Sequence, residues 1–186
     1  IGAESWAAEE YAAALQVAAE GDLAYRDQDF ENAQLLYQNG LLALQLIETS
    51  SLSLFAESIA AGYAAIEAGR PTVAEQAFET ALLIDEVSDE ALSGLERAGR
   101  LPEVLALMDQ AEAEHGRGQL EAALELYEQA TQIDPAHSGA TAAVAQTRID
   151  ILDRNFLNRM SAGFSAVQAN NPEAALESFN SALALK

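Results

Sequence analysis

The sequence predicts an all-α chain built from antiparallel helical hairpins, and three observations predict it. Half of the 186 residues are apolar, dominated by Ala and Leu with few β-branched residues, and Ala and Leu are the strongest helix formers. Four segments repeat one pattern: a small residue, an aromatic four positions on, and a small residue three beyond that. The 4 Pro, with Gly69, Gly99, Gly116 and Gly118, fall at the edges of apolar-periodic stretches, where they punctuate helices.

Taken in order, apolar periodicity and stop signals predict helices over 3–26, 30–47, 52–68, 72–84, 89–98, 102–116, 120–132, 137–169 and 173–185. Thr49, Ser50, Ser51 and Ser53 read as a turn, with Ser50 or Ser51 capping the helix that follows. Gly69-Arg70-Pro71 and Gly99-Arg100-Leu101-Pro102 place a Gly after one helix and a Pro in the first turn of the next. Gly116-Arg117-Gly118 and Asn170-Asn171-Pro172 are further stops. The stretch 137–169 reads either as one long helix or as two with a bend near Asn155.

The repeated segments are Asp29-Phe30-x-x-Ala33-x-x-x-Tyr37-x-x-Gly40, and Gly69-x-x-x-x-Ala74-x-x-x-Phe78-x-x-Ala81. Gly118-x-Leu120-x-x-Ala123-x-x-x-Tyr127-x-x-Ala130-x-x-x-x-Pro135 and Ala175-x-x-x-Phe179-x-x-Ala182 complete the set. These spacings put the small, aromatic and small residues on one helical face. A further small residue precedes each first Ala by twelve positions: Gly21, Gly62, Ala111 and Gly163. The aromatic fills space and the small residues admit a neighbouring helix. The third segment, about 104–137 and closing on Ile133-Asp134-Pro135, is the fullest instance.

In these residues the chain resembles the tetratricopeptide repeat family, whose unit is a 34-residue helical hairpin. The resemblance implies one domain over 1–186, with repeats at roughly 14–47, 55–88, 104–137 and 156–186 stacked as a right-handed superhelix. The anchors Ala33, Ala74, Ala123 and Ala175 stand further apart than the family's unit. Extra or elongated helices between repeats, at 89–99 and 138–155, account for the two larger surpluses. The resemblance also implies a concave groove lined by Tyr25, Ile59, Tyr63, Met108, Glu112, Leu157, Met160 and Phe164. The basic residues with which one subfamily clamps acidic tails are absent from that set. It is apolar and aromatic, suited to an amphipathic helix or an extended peptide, unless the extra helices fill it.

Charge narrows the function classes. With 30 acidic residues against 9 basic ones the net charge is −21, a field that repels nucleic acid and anionic membranes. The acids are spread along all the helices, as on a solvated surface, and the alternative is a docking face for a basic partner. No apolar run is long enough to span a bilayer. The compartment stays open between cytoplasm and periplasm. Ile1 is not an initiator Met, which points to part of a longer protein.

Catalytic and metal templates each lack named residues. Glu112-x-x-His115 is a single Glu-x-x-His where a carboxylate-bridged dimetal site uses two, and His137 follows a Pro at a helix start. Asp27-Gln28-Asp29-Phe30-Glu31 has the early rhythm of a calcium loop, but Asn32 and Gln38 stand where Gly and Glu are required. No phosphate-binding loop or nucleophile elbow occurs. The expectation is therefore a scaffold without cofactor or metal that binds a protein or peptide partner. The alternative is a self-assembling structural or accessory domain of a larger membrane-anchored or secreted assembly, homo-oligomeric through the apolar helix 173–185.

Overall fold

The computed structural model describes residues 2–185; Ile1 and Lys186 lie outside the described residues. Eight helices and no strand are present among them: α1 Ala3–Trp6, α2 Ala8–Arg26, α3 Phe30–Glu67, α4 Pro71–Ile84, α5 Asp89–Gly116, α6 Leu120–Ile133, α7 Ser138–Gln168 and α8 Pro172–Leu183. The chain divides into two compact units, one through Leu101 and one from Pro102.

In the first unit α2 packs on the N-terminal half of α3, and the C-terminal half of α3 packs on α4. These are the first and second hairpins. The short α1 touches both α2 and α4. The second unit holds a third hairpin, in which Ala111 of α5 clusters with Ala123 and Tyr127 of α6. Its fourth hairpin pairs α7 with α8.

All four hairpins turn in the same way. The residue nine positions before the aromatic is left-handed: Gln28 at φ 65°, Gly69 at 66°, Gly118 at 77° and Asn170 at 56°. The next amide reaches back five residues, with Asp29, Arg70, Gln119 and Asn171 donating to Ala24, Ala65, Glu114 and Ala166, each at 2.9 Å. This bond pattern closes the first helix and reverses the chain. The aromatic then lands on the small residue sixteen positions upstream. A Cβ added to Gly21 would meet the Tyr37 ring at 2.9 Å. One added at Gly62 or Gly163 would overlap Phe78 or Phe179.

Three expected boundaries are corrected. Residues 30–47 and 52–68 are one 38-residue helix, α3. Ser50 and Ser51 are therefore interior rather than capping, and the Ser51 hydroxyl donates to the Glu48 carbonyl at 2.7 Å. Likewise 89–98 and 102–116 are one helix, α5, with Pro102 inside it. Leu101 and Val104, 1 % and 0 % exposed, hold that stretch in the core, which offsets the backbone bond that Pro removes. Residues 3–26 instead break at Ala7, at φ −137°, so that Ala3 and Ala7 both pack on Ile47. The open question over 137–169 resolves to one helix, α7.

Side chains seven and ten positions after the aromatic explain where helices stop. After Phe78, the Asp85 carboxylate accepts from the Val87 amide at 3.3 Å, and the Ser88 hydroxyl accepts from Ala91 at 3.3 Å. After Tyr127, Asp134 accepts from Ala136 at 3.1 Å, and His137 Nδ1 accepts from Ala140 at 3.0 Å. An Asp turn followed by a capping side chain ends one helix and starts the next. After Tyr37 the same positions are Leu44 and Ile47. Neither can cap, so α3 runs on.

Candidate interaction surface

The continuity of α3 leaves the first hairpin half-covered. In the second hairpin Phe78 lies between two glycines, Gly62 before it and Gly94 after it, on α5; the ring is 0 % exposed. In the third, Tyr127 lies among Ala111, Ala123, Ala143 and Val144, and is 5 % exposed. Gly94 and Ala143 both stand sixteen residues beyond their aromatic. The equivalent of these residues in the first hairpin is Ser53, which α3 carries onward along its own axis. Tyr37 consequently remains 40 % exposed.

Around Tyr37 the surface is apolar. Tyr25, Phe30 and Leu41 are 60 %, 58 % and 56 % exposed, and with Ala33 they line a groove of about 350 Å³. Tyr25 meets Phe30 edge to face at 5.4 Å. A polar groove lined by Asp29, Glu31, Asn32 and Leu35 adjoins it, sharing Gln34 and Gln38. A second apolar groove of about 590 Å³ runs along α2 and the middle of α3, lined by Trp6, Ala14, Val17, Leu46, Ile47 and Leu54. The Trp6 indole N–H is buried there without a partner among the described residues.

The expected groove residues fall into different environments. Ile59 is buried, and Met108 packs into two core clusters. Tyr63 is half-buried, edge-on to Phe78 at 5.1 Å with the Arg97 guanidinium over its ring at 5.6 Å. Tyr25, Glu112, Leu157 and Phe164 are exposed, and Met160 is half-buried. Phe164 stands edge-on to Phe179 at 5.3 Å. Tyr25, Ile59 and Tyr63 belong to the first unit and the other five to the second. The repeat pattern predicts Phe30 and Tyr37 as core, whereas both are exposed. The signal that marks them as surface is Leu44 standing where the second and third repeats have Asp.

Electrostatics around the hairpins is local. The Tyr37 hydroxyl donates to Asp22 at 2.7 Å, and this bond to a carboxylate raises the phenol's pKa. Burial, then the Glu112 charge, raises that of Tyr127. Arg154 of α7 donates to both carboxylate oxygens of Glu121, the Nη1 bond at 2.9 Å, and holds that carboxyl down to about 2. His115 Nε2 contacts Asp150 at 2.9 Å, lowering the Asp150 pKa. Among the described residues no cluster of three or more His, Cys, Asp or Glu could hold a metal ion. No described helix is long and apolar enough to cross a membrane.

Residues 106–137, which close the third hairpin, match the family model described as tetratricopeptide repeat. That segment is similar to a tetratricopeptide repeat. The matched segment ends two residues after Pro135 and contains Ala111, Ala123 and Tyr127. The other hairpins share with this matched hairpin the left-handed turn and the small residue beneath the aromatic. No curated protein and no solved structure matches the chain.

Proposed function

We propose that this chain is a non-catalytic scaffold whose partner protein docks on the exposed apolar face of the first hairpin, at Tyr25, Phe30, Tyr37 and Leu41. Tetratricopeptide repeats generally mediate protein–protein interaction, and the match at 106–137 supports that role here. The observation that carries the placement is the contrast between Tyr37, 40 % exposed, and Phe78 and Tyr127, each covered by a following helix. A contiguous exposed apolar face of this kind marks an interaction site. A photo-crosslinker at Leu41 should yield a saturable adduct with one protein, lost when Phe30→Asp is added. A crosslinker at the exposed Glu79 should not yield it. Equal adducts at both positions would remove the assignment.

A second reading, self-assembly through α8, is favoured by Leu176 and Leu183, which are 63 % and 71 % exposed. Sedimentation should then show a concentration-dependent dimer that Leu183→Asp dissociates. A clean monomer would eliminate it.

A further inference from the structure

The scaffold reading leaves open what covers Tyr37, and the chain itself holds two templates for the answer. On the second hairpin a helix brings Gly94 onto Phe78 and lays Arg97 over the Tyr63 ring. On the third, α7 brings Ala143 and Val144 onto Tyr127. It is then pinned by Arg148 to Glu128 at 2.7 Å and by Arg154 to Glu121. Each covering helix combines a small residue over the aromatic with Arg side chains further along.

The first hairpin presents the matching half of that arrangement. Glu31 is the second residue of its helix, as Glu121 is of α6, and each precedes its Tyr by six positions. Glu121 is paired, whereas Glu31 has no ion-pair partner among the described residues. Asp29 and Glu31 border the groove under Tyr37 on its polar side. Residues 2–50 carry nine acidic side chains and a single basic one, Arg26. The continuation of α3 is collinear with this face and does not fold back onto it. A second copy of the chain brings a net charge of −21, and like charge opposes its approach.

We propose that the open face of the first hairpin is completed by a basic amphipathic helix of a partner protein, with a small residue over Tyr37 and a cation against Glu31, seated as α7 sits on α6. The proposal rests on the scaffold reading and specifies its occupant. Helix-in-groove recognition supplies the apolar contact, and the acidic rim supplies sign selectivity.

The test uses the full chain and a synthetic peptide with the sequence of residues 138–158 carrying Asp150→Lys and Asp153→Lys. Calorimetry at low salt should show saturable one-to-one binding, with the Gly21 and Gly40 amide resonances shifting in step. Glu31→Lys in the chain should weaken binding about tenfold, and Leu41→Asp should abolish it. The unmodified peptide, and one with Ala143→Trp, should bind at least tenfold more weakly. Circular dichroism of both chain variants checks that they fold, and the Glu31 variant alters only an exposed charge. Binding indifferent to Glu31→Lys and Leu41→Asp would overturn the assignment. No peptide binding, together with a specific adduct at Leu41, would overturn the helical occupant and leave the scaffold reading standing. Loss of both would overturn both.

Discussion

Gln28 adopts φ 65° where two of the other three hairpins use Gly. A side chain in the left-handed region costs about 1–2 kcal/mol. Gln28→Gly should therefore raise stability by about 1 kcal/mol, read as a higher midpoint in urea denaturation. The other three left-handed residues were visible as Gly69, Gly118 and Asn170, residues that favour such turns. Gln28 was hidden because nothing in Asp27-Gln28-Asp29 demands the conformation. Glu121 supplies a pH signature. Its carboxyl is held at about 2 against an ordinary 4.5, so its stabilising effect is full above the ordinary value. It is lost as pH falls from there towards 2. Thermal melts at pH 6, 4 and 2.5 should show a shallower acid decline for Glu121→Gln than for the parent chain. Equal slopes would mean the Arg154 pair is not made in solution.

At the scale of elements, side-chain chemistry at two positions separates a helix that ends from one that continues. Asp134-Pro135 ends α6, whereas Leu44-Gln45 lets α3 pass. Leu44→Asp with Gln45→Pro should interrupt α3. Spin labels at Leu35 and Ala61 lie about 39 Å apart along a continuous helix at about 1.5 Å per residue, and the double variant should shorten that distance. An unchanged distance would show that α3 persists for another reason. Ala123 is 0 % exposed where α5 meets α6, so Ala123→Trp should destabilise by about 1–3 kcal/mol through overpacking. Hairpin contacts were legible because aromatic and small residues recur at fixed spacing. The continuity of α3 and α5 was not, since Ser50-Ser51 and Gly99-Arg100-Leu101-Pro102 carry the composition of turns while burial at Ser51, Leu101 and Val104 keeps them helical.

Over the whole molecule the hairpins alternate in kind. In the first and third a Tyr stands fifteen residues after an acid: Tyr37 donates to Asp22, and burial, then the Glu112 charge, raises the pKa of Tyr127. The second and fourth pair a Phe with an aromatic ring, Tyr63 with Phe78 and Phe164 with Phe179. Phenyl rings favour edge-to-face neighbours, and each compact unit carries one hairpin of either kind. The groove was less legible than the hairpins. A resemblance conveys which positions face a surface, but here Ile59 is buried and Met108 packs half-buried against core clusters. The net charge of −21 sets a further expectation, since like charges repel across the folded chain and salt screens them. Raising NaCl from 20 to 300 mM should increase the melting temperature by a few degrees, about 2–4 °C per kcal/mol. A decrease would mean that pairs such as Arg148 with Glu128 outweigh the repulsion.

Trp6 is the sole tryptophan of the chain, and it packs with α1 against Ile47 while its indole N–H finds no acceptor among the described residues. The protein thus carries its own optical reporter at one defined joint. Its fluorescence should be blue-shifted in the native state and move to the red when α1 lifts away from α3, even while the far-ultraviolet signal of the long helices stays constant. Undocking of the N-terminal segment can then be followed by emission wavelength alone, without an added label.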